Sequence, residues 1–406
     1  MKKFLIALMI LLSLSSVGSA EPARNLATSV DAFCWKYFAT LDKDRNIFYS
    51  PYGIHAALSI VANGASGDTL KEILNALEVD NVDALNDGHK NFAATIEKNY
   101  RDGNLFAESN LLLINKKLVK GGLDENFQRV LTNVYNSEVR KAPFTSSFDD
   151  AEAKKITRWV SDKTDGFIPN YYPLLLSNSL TDLLNVICFK GKWAIPFNTS
   201  STVHKDFTNR AGEKSTVDMM SKVFKDAIAY RADDKFKGIR LPYSTGAEMY
   251  LIMPVDDNAL NVAELWNAET FSYRADFLDD LKNSYPFDGE VVVNLPKFGM
   301  SFQVVLSENL QDIGINRAFT DNAELFNIVK GMPLKINTAM HCARIEVDEE
   351  GTKAAAVTEI TMVETTATPN PQPPRRVYFI AERPFLFVIR DVESNVTLFA
   401  GVANKI

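Results

Sequence analysis

The spacing of apolar positions along the chain switches between a helical period and strict alternation. Over 25–41, Val30, Phe33, Cys34, Tyr37, Phe38 and Leu41 repeat with a helical period and predict an amphipathic helix. After Asn46, Ile47, Phe48, Tyr49 and Ser50, Pro51 suits the first turn of a second helix. That helix carries Ile54, Ala57, Leu58, Ile60 and Val61, is apolar on nearly every side, and is expected to be buried. The pattern breaks at 64–68 and resumes over 69–77. Further helices are predicted over 89–100, 127–135 and 149–164, the last carrying Ile156, Trp159 and Val160 and closed by Gly166. Strand patterns occupy 105–115 and 139–144, a hairpin over 237–255 with Gly246 near its turn, and 377–380, 384–390 and 396–402.

One segment, 349–376, has two halves of opposite chemistry. Between Gly351 and Thr368 there is no proline, and β-branched residues recur at Thr352, Val357, Thr358, Ile360, Thr361 and Val363. Proline then holds positions 369, 371, 373 and 374 and rules out a central strand there, because it lacks the N–H. In the first half Thr352, Ala354, Ala356, Thr358, Ile360 and Met362 share one parity. Lys353, Ala355, Val357, Glu359, Thr361 and Val363 share the other, which carries both charges. The segment can bury one face and expose the other. Its alanines are weak strand formers, suited to sliding between existing strands rather than nucleating one. Taken alone, the segment also reads as a flexible Ala/Thr/Pro linker.

Composition narrows the setting. Residues 1–20 read as a secretory leader: Lys2 and Lys3, an apolar run to Leu14 too short to span a bilayer, then Gly18, Ser19 and Ala20. No later stretch is long and apolar enough to span, so no membrane role is expected. Removal of the leader takes the net charge from −7 to −9, and no basic face points to nucleic acid. Lys90 and Lys98 on the 89–100 helix, and Arg101 just after it, are largely offset by Glu97 and Asp102, so no polyanion site is evident. The odd count of three cysteines, Cys34, Cys188 and Cys342, guarantees no disulfide framework. No HExxH, CxxC, GxGxxG, Walker loop or GxSxG occurs, and His55, His89, His204 and His341 show no ligand spacing. Neither a metal, nor a cofactor, nor a set of catalytic residues is expected.

Several separated motifs, in order, resemble the serpin family from about Asn25 to Ile406. They are NIFYSPYGIHAALSIVANGASGDTLKEI from Asn46, LLNVICFKGKW over 183–193, LPKF from Leu295, the 332–347 run with His341, EEGTKAAAV from Glu349, and the apolar closing strands. The resemblance implies an α+β fold of three β-sheets with about eight or nine helices, a single domain over 21–406 and an exposed reactive-centre loop over about 349–376. It implies a hinge at Glu349, Glu350, Gly351, Thr352, Ala354, Ala355, Ala356 and Val357. It assigns sheet-opening control to Ser50, Asn185, Trp193, Lys297 and His341, with Lys297 pairing to Glu349. Gly53 departs from the family, which usually has serine there, beneath the place where the main sheet opens. By the same likeness Cys188 and Cys342 lie on neighbouring strands with matching parity, and an oxidised pair would block insertion.

The resemblance further implies a suicide-substrate inhibitor. A serine, or a cysteine, endopeptidase cuts the loop, and the freed hinge enters the main sheet before the acyl-enzyme hydrolyses. The scissile bond is expected at Thr365–Thr366, with Val363 and Glu364 as neighbours, which suits elastase-like or subtilisin-like targets in a covalent complex with a monomer. About seventeen strand residues span about 56 Å, enough to carry the protease across the molecule. A cut at Arg375 would leave a tether about 33 Å longer and an undistorted protease, so that site is expected to be a substrate site. The alternatives are a non-inhibitory serpin acting as carrier, chaperone or binding protein, and a plain secreted binding protein whose loop is a docking peptide. Secretion places the product outside the cell, or in the periplasm if the source is bacterial.

Overall fold

The computed structural model describes residues 25–100, 105–147, 151–171, 173, 175–352 and 374–406. The leader lies outside these residues, as do Ala354, Ala355, Ala356, Val357, Val363, Glu364, Thr365 and Thr366.

Among the described residues there are nine α-helices: α1 (Leu26–Thr40), α2 (Pro51–Gly64), α3 (Gly67–Leu77), α4 (Val82–Asn99), α5 (Glu125–Tyr135), α6 (Ala151–Lys163), α7 (Val262–Ala268), α8 (Phe271–Asn283) and α9 (Ser307–Asp312). The strands are β1 (Ile47–Tyr49), β2 (Leu105–Asn115), β3 (Glu138–Ala142), β4 (Thr181–Lys192), β5 (Val203–Thr208), β6 (Lys214–Lys225), β7 (Ala229–Ala232) and β8 (Phe236–Pro242). They continue with β9 (Ala247–Pro254), β10 (Glu290–Pro296), β11 (Phe298–Val305), β12 (Ile336–Val347), β13 (Gly351–Thr352), β14 (Arg376–Ile380), β15 (Phe385–Asp391) and β16 (Thr397–Ala403).

These strands build three sheets. The main sheet runs β11-β12-β13-β4-β2-β3, a second six-stranded sheet runs β1-β16-β15-β9-β8-β7, and a four-stranded sheet runs β14-β10-β6-β5. The architecture is the three-sheet α+β fold expected from the sequence. The chain passes from the four-stranded sheet to the main sheet at a corner: Pro296 still pairs with Met219, Phe298 already pairs with Val347, and Lys297 is the turn between them.

Local chemistry explains the helix that matters most. Ser50 caps α2 by accepting the Gly53 N–H, Pro51 occupies the first turn, and every residue of the helix except Asn63 is buried. The helix packs against β4 and β16 and forms the floor behind the main sheet. On the opposite face, Ile156, Trp159 and Val160 of α6 cover Leu111, Leu113, Leu184, Val186 and Cys342. The main sheet is thus held between an apolar helix behind and a strap in front.

Two expectations change in detail. Helix α4 begins at Val82, capped by Asn81, well before 89. Its first two turns bury only Leu85, so their apolar signal is thin. The Cys188–Cys342 bridge is not formed, and all three cysteines are free and buried. Cys342 pairs with Val186 while Cys188 pairs with Arg344, an offset of two residues on parallel strands. That places the two α-carbons about 8 Å apart, beyond the reach of a disulfide.

Candidate functional site

The site is a seam between β4 and β12 and the turn that enters it from above. The two strands run parallel and pair from Thr181 and Ile336 up to Cys188 and Arg344. Beyond that point they part, and β13 lies between them. Gly351 pairs with Lys192 and Thr352 with Gly191 on one side, and Thr352 pairs with Val347 on the other, both antiparallel. Gly351 and Thr352 of the proposed hinge therefore already occupy the top of the gap.

The turn is fixed from several directions. The Asp348 carboxylate accepts from the Glu350 and Gly351 N–H groups at 2.9 and 3.1 Å. The Trp193 N–H donates to the Glu350 carbonyl at 2.8 Å, and its indole N–H to the Asp348 carbonyl at 3.0 Å. Trp193 is stacked on Tyr243 with ring centres 4.4 Å apart. The Tyr243 hydroxyl lies 2.9 Å from the buried Thr352 hydroxyl. Gly351 has φ +148°, and a Cβ there would lie 2.1 Å from the Gly191 carbonyl oxygen, so only glycine fits. Lys297, at the corner between sheets, reaches Glu349 at 2.9 Å, and the Thr202 hydroxyl donates to the same carboxylate at 2.7 Å. Burial raises the Glu349 pKa, but the bonds from Thr202 and Lys297 outweigh it and hold the carboxyl below its usual range.

Lower in the seam, His341 of β12 stands opposite Asn185 of β4. The Ser50 N–H donates to His341 Nε2 at 3.0 Å, so the proton is on Nδ1 and is donated to Asn185 Oδ1 at 2.7 Å. Asn185 donates in turn to Asn110 Oδ1 at 2.8 Å. Gly53 lies beneath this contact: a Cβ there would come within 2.7 Å of Asn185 Oδ1 and 3.2 Å of Ser50 Oγ. The departure at Gly53 thus makes room for the Asn185 amide. Ser50, Asn185 and His341 are brought together, while Trp193 and Lys297 gather at the turn above. Asp348, Thr202 and Tyr243 complete the turn. Sequence reading missed these three because nothing local to them marks the contact. Among the described residues no group of His, Cys, Asp and Glu is placed to hold a metal.

A prediction follows for His341. Replacing it with alanine leaves the Ser50 N–H and the Asn185 carbonyl unpaired in a buried site, and should cost about 2–4 kcal/mol. A lowered melting temperature of the intact protein checks this. Burial also lowers the His341 pKa to about 3. The unfolded chain protonates this side chain near 6.5, so its contribution is complete above about pH 6.5 and is lost as the pH falls towards 3. The gap in melting temperature between the wild type and His341→Ala should therefore narrow in acid.

A family model described as serpin (serine protease inhibitor) matches residues 28–406. The chain belongs to the serpin family. Bovine (Bos taurus) leukocyte elastase inhibitor is 30% identical over 393 residues, covering 93% of this chain and 98% of that protein. Human (Homo sapiens) serpin B7 is 28% identical over 389 residues, with 93% and 98% covered. Mouse (Mus musculus) antithrombin-III is 31% identical over 371 residues, with 88% and 76% covered. Among solved structures, the native state of tengpin, a thermophilic serpin, superposes with a TM-score of 0.80 at 24% identity, covering 93% of both chains. Human thyroxine-binding globulin bound to its ligand superposes at 0.79 and 24% identity, covering 93% of this serpin and 97% of the other chain. At that identity these likenesses speak for the fold alone.

Proposed function

We propose that this serpin is a secreted suicide-substrate inhibitor of serine endopeptidases, exported by the 1–20 leader and acting outside the cell or in a periplasm. The observation that carries the reading is the docked start of the hinge, already antiparallel to both β4 and β12. Continuing the same register downward places Ala354 between Phe189 and Ile345, and Thr358 between Asn185 and His341. Thr352, Ala354, Ala356, Thr358, Ile360 and Met362 then face the α2 floor, and Lys353 and Glu359 face the front. This is the division of small and charged residues read from the sequence. The Thr358 hydroxyl stands where it can replace one partner of the Asn185–His341 bond as the strands separate.

Cleavage at Thr365–Thr366 releases the arm, and insertion carries the acyl-bound protease to the far end of the sheet. Loss of its active-site geometry then traps it. Bulky or charged hinge residues or proline, the marks of a non-inhibitory member, are absent from Thr352, Ala354, Ala355 and Ala356. Incubation with an elastase and with subtilisin should give a covalent complex stable on a denaturing gel. Mass spectrometry should place the bond at Thr365 or within two residues of it. Trypsin should cut at Arg375 and leave no adduct. An adduct through Arg375, or cleavage by all three proteases without any adduct, would contradict the assignment.

A further inference from the structure

Beneath the seam lies a carboxyl group for which the described residues offer no cation. Glu108, on β2, is partly buried and accepts from the side-chain amides of Asn110 and Asn185, the latter at 3.3 Å. Asn185 is the side chain whose oxygen takes the His341 proton across the seam. Its amide thus bridges two strands: the nitrogen end is held by Glu108 and Asn110 of β2, and the oxygen end by His341 of β12. The missing Cβ at Gly53 leaves room for that orientation.

The groups facing Glu108 are few. Tyr52 of α2 and Tyr135 of α5 are the ionisable neighbours that sense its charge. His89 of α4 lies against both rings, with centroid distances of 5.5 and 5.1 Å, and His55 lies beyond it. His341 stands on the far side of Asn185. Among the described residues no lysine or arginine pairs with Glu108. Burial pushes its carboxyl up to about 8, with the Asn110 bond opposing the shift. Burial pushes the two tyrosines up and the three histidines down, so all five stay neutral between pH 7 and 9. Within this cluster Glu108 alone changes charge there. One other seam carboxyl titrates nearby: Asp182, opposite Thr338 at the lower end, is pushed to about 7 by burial.

We propose that Glu108 is a positioning residue for sheet opening: it aims the Asn185 amide at His341, and loss of its proton loosens the seam and speeds entry of the hinge. The proposal rests on the insertion reading above. The direction follows from linkage. The closed seam surrounds the carboxyl with uncharged partners, the Asn110 and Asn185 amides, and favours its neutral form. Parting β4 from β12 takes away the His341 partner and lets water reach the α2 side. The ionised form is therefore favoured in the open state, and raising the pH shifts the balance towards opening.

The test uses the full-length intact protein and a synthetic peptide of residues 352–363, followed by native gel for entry into the sheet. In the wild type the rate of entry should rise roughly tenfold at most from pH 7 to pH 9. Glu108→Gln, and Glu108→Ser as a second variant, should give a flat profile, whereas Asp182→Asn should keep the rise. A rise that survives in both Glu108 variants, or vanishes in Asp182→Asn, would overturn the proposal. So would a flat wild-type profile with normal peptide entry. If the peptide never enters and loop cleavage raises no melting temperature at any pH, the insertion reading itself fails, and the role of Glu108 falls with it.

Discussion

Replacing Thr352 with arginine should turn the inhibitor into a substrate. Thr352 is fully buried between Gly191 and Val347, with its hydroxyl against that of Tyr243. It is the residue through which any further zippering of the hinge must pass. A guanidinium there would face the Trp193–Tyr243 stack with no carboxylate opposite, and burying such a charge unpaired costs several kcal/mol. Insertion and deacylation compete from the same acyl-enzyme, and each 1.4 kcal/mol added to the insertion barrier shifts the outcome tenfold. A cost of about 3 kcal/mol therefore means about 100-fold fewer trapped complexes per cleavage event. Gel densitometry of adduct against cleaved product measures that ratio directly. Thr352→Ser, which keeps the hydroxyl, should trap as the wild type does. Equal trapping by the arginine variant would mean that the hinge does not enter here.

The second large effect is on stability. In the intact protein β4 and β12 are closed on each other up to Cys188 and Arg344. After cleavage, a dozen or more new backbone hydrogen bonds at about 1 kcal/mol each give on the order of 10 kcal/mol. Burying Ile360 and Met362 adds roughly 1.5–3 kcal/mol apiece. The intact form is then metastable, held by the barrier to parting β4 from β12. The melting temperature should rise on the order of 20 °C once the loop is cut, whether at Thr365 or at Arg375, since either cut frees the hinge. Circular dichroism melts before and after limited elastase or trypsin treatment measure the shift. No rise would favour a carrier or docking-peptide role for the loop.

Much of this arrangement was legible in the chain itself, for identifiable reasons. The unbroken apolar character of Pro51–Gly64 announced a buried helix, and the cap and proline at its start fixed where it begins. The strand over 105–115 coincides with β2, because apolar residues at 105–107 and 111–114 flank the polar Glu108, Ser109 and Asn110. Strands β5 and β6 and helices α7 and α8 gave no clear signal. Much of β5, β6 and α8 lies open to solvent and charged residues interrupt their apolar pattern, while α7 is only seven residues long. The corner at Lys297 was readable as a motif but not as a change of sheet, since nothing local tells one sheet from another. The hinge was visible as small residues before prolines. Its setting was not, because Asp348, Trp193, Tyr243 and Thr202 meet only through the fold. The same holds for Glu108, whose importance lies in a contact with Asn185, far away in sequence.

The most direct measurement is a crystal structure of the protein cleaved within the loop. The account predicts residues 353–363 as a new central strand between β4 and β12, antiparallel to both, with Thr358 between Asn185 and His341 and α6 displaced over it. Strands β4 and β12 still paired up to Cys188 and Arg344, with the cleaved arm lying outside the sheet, would contradict it.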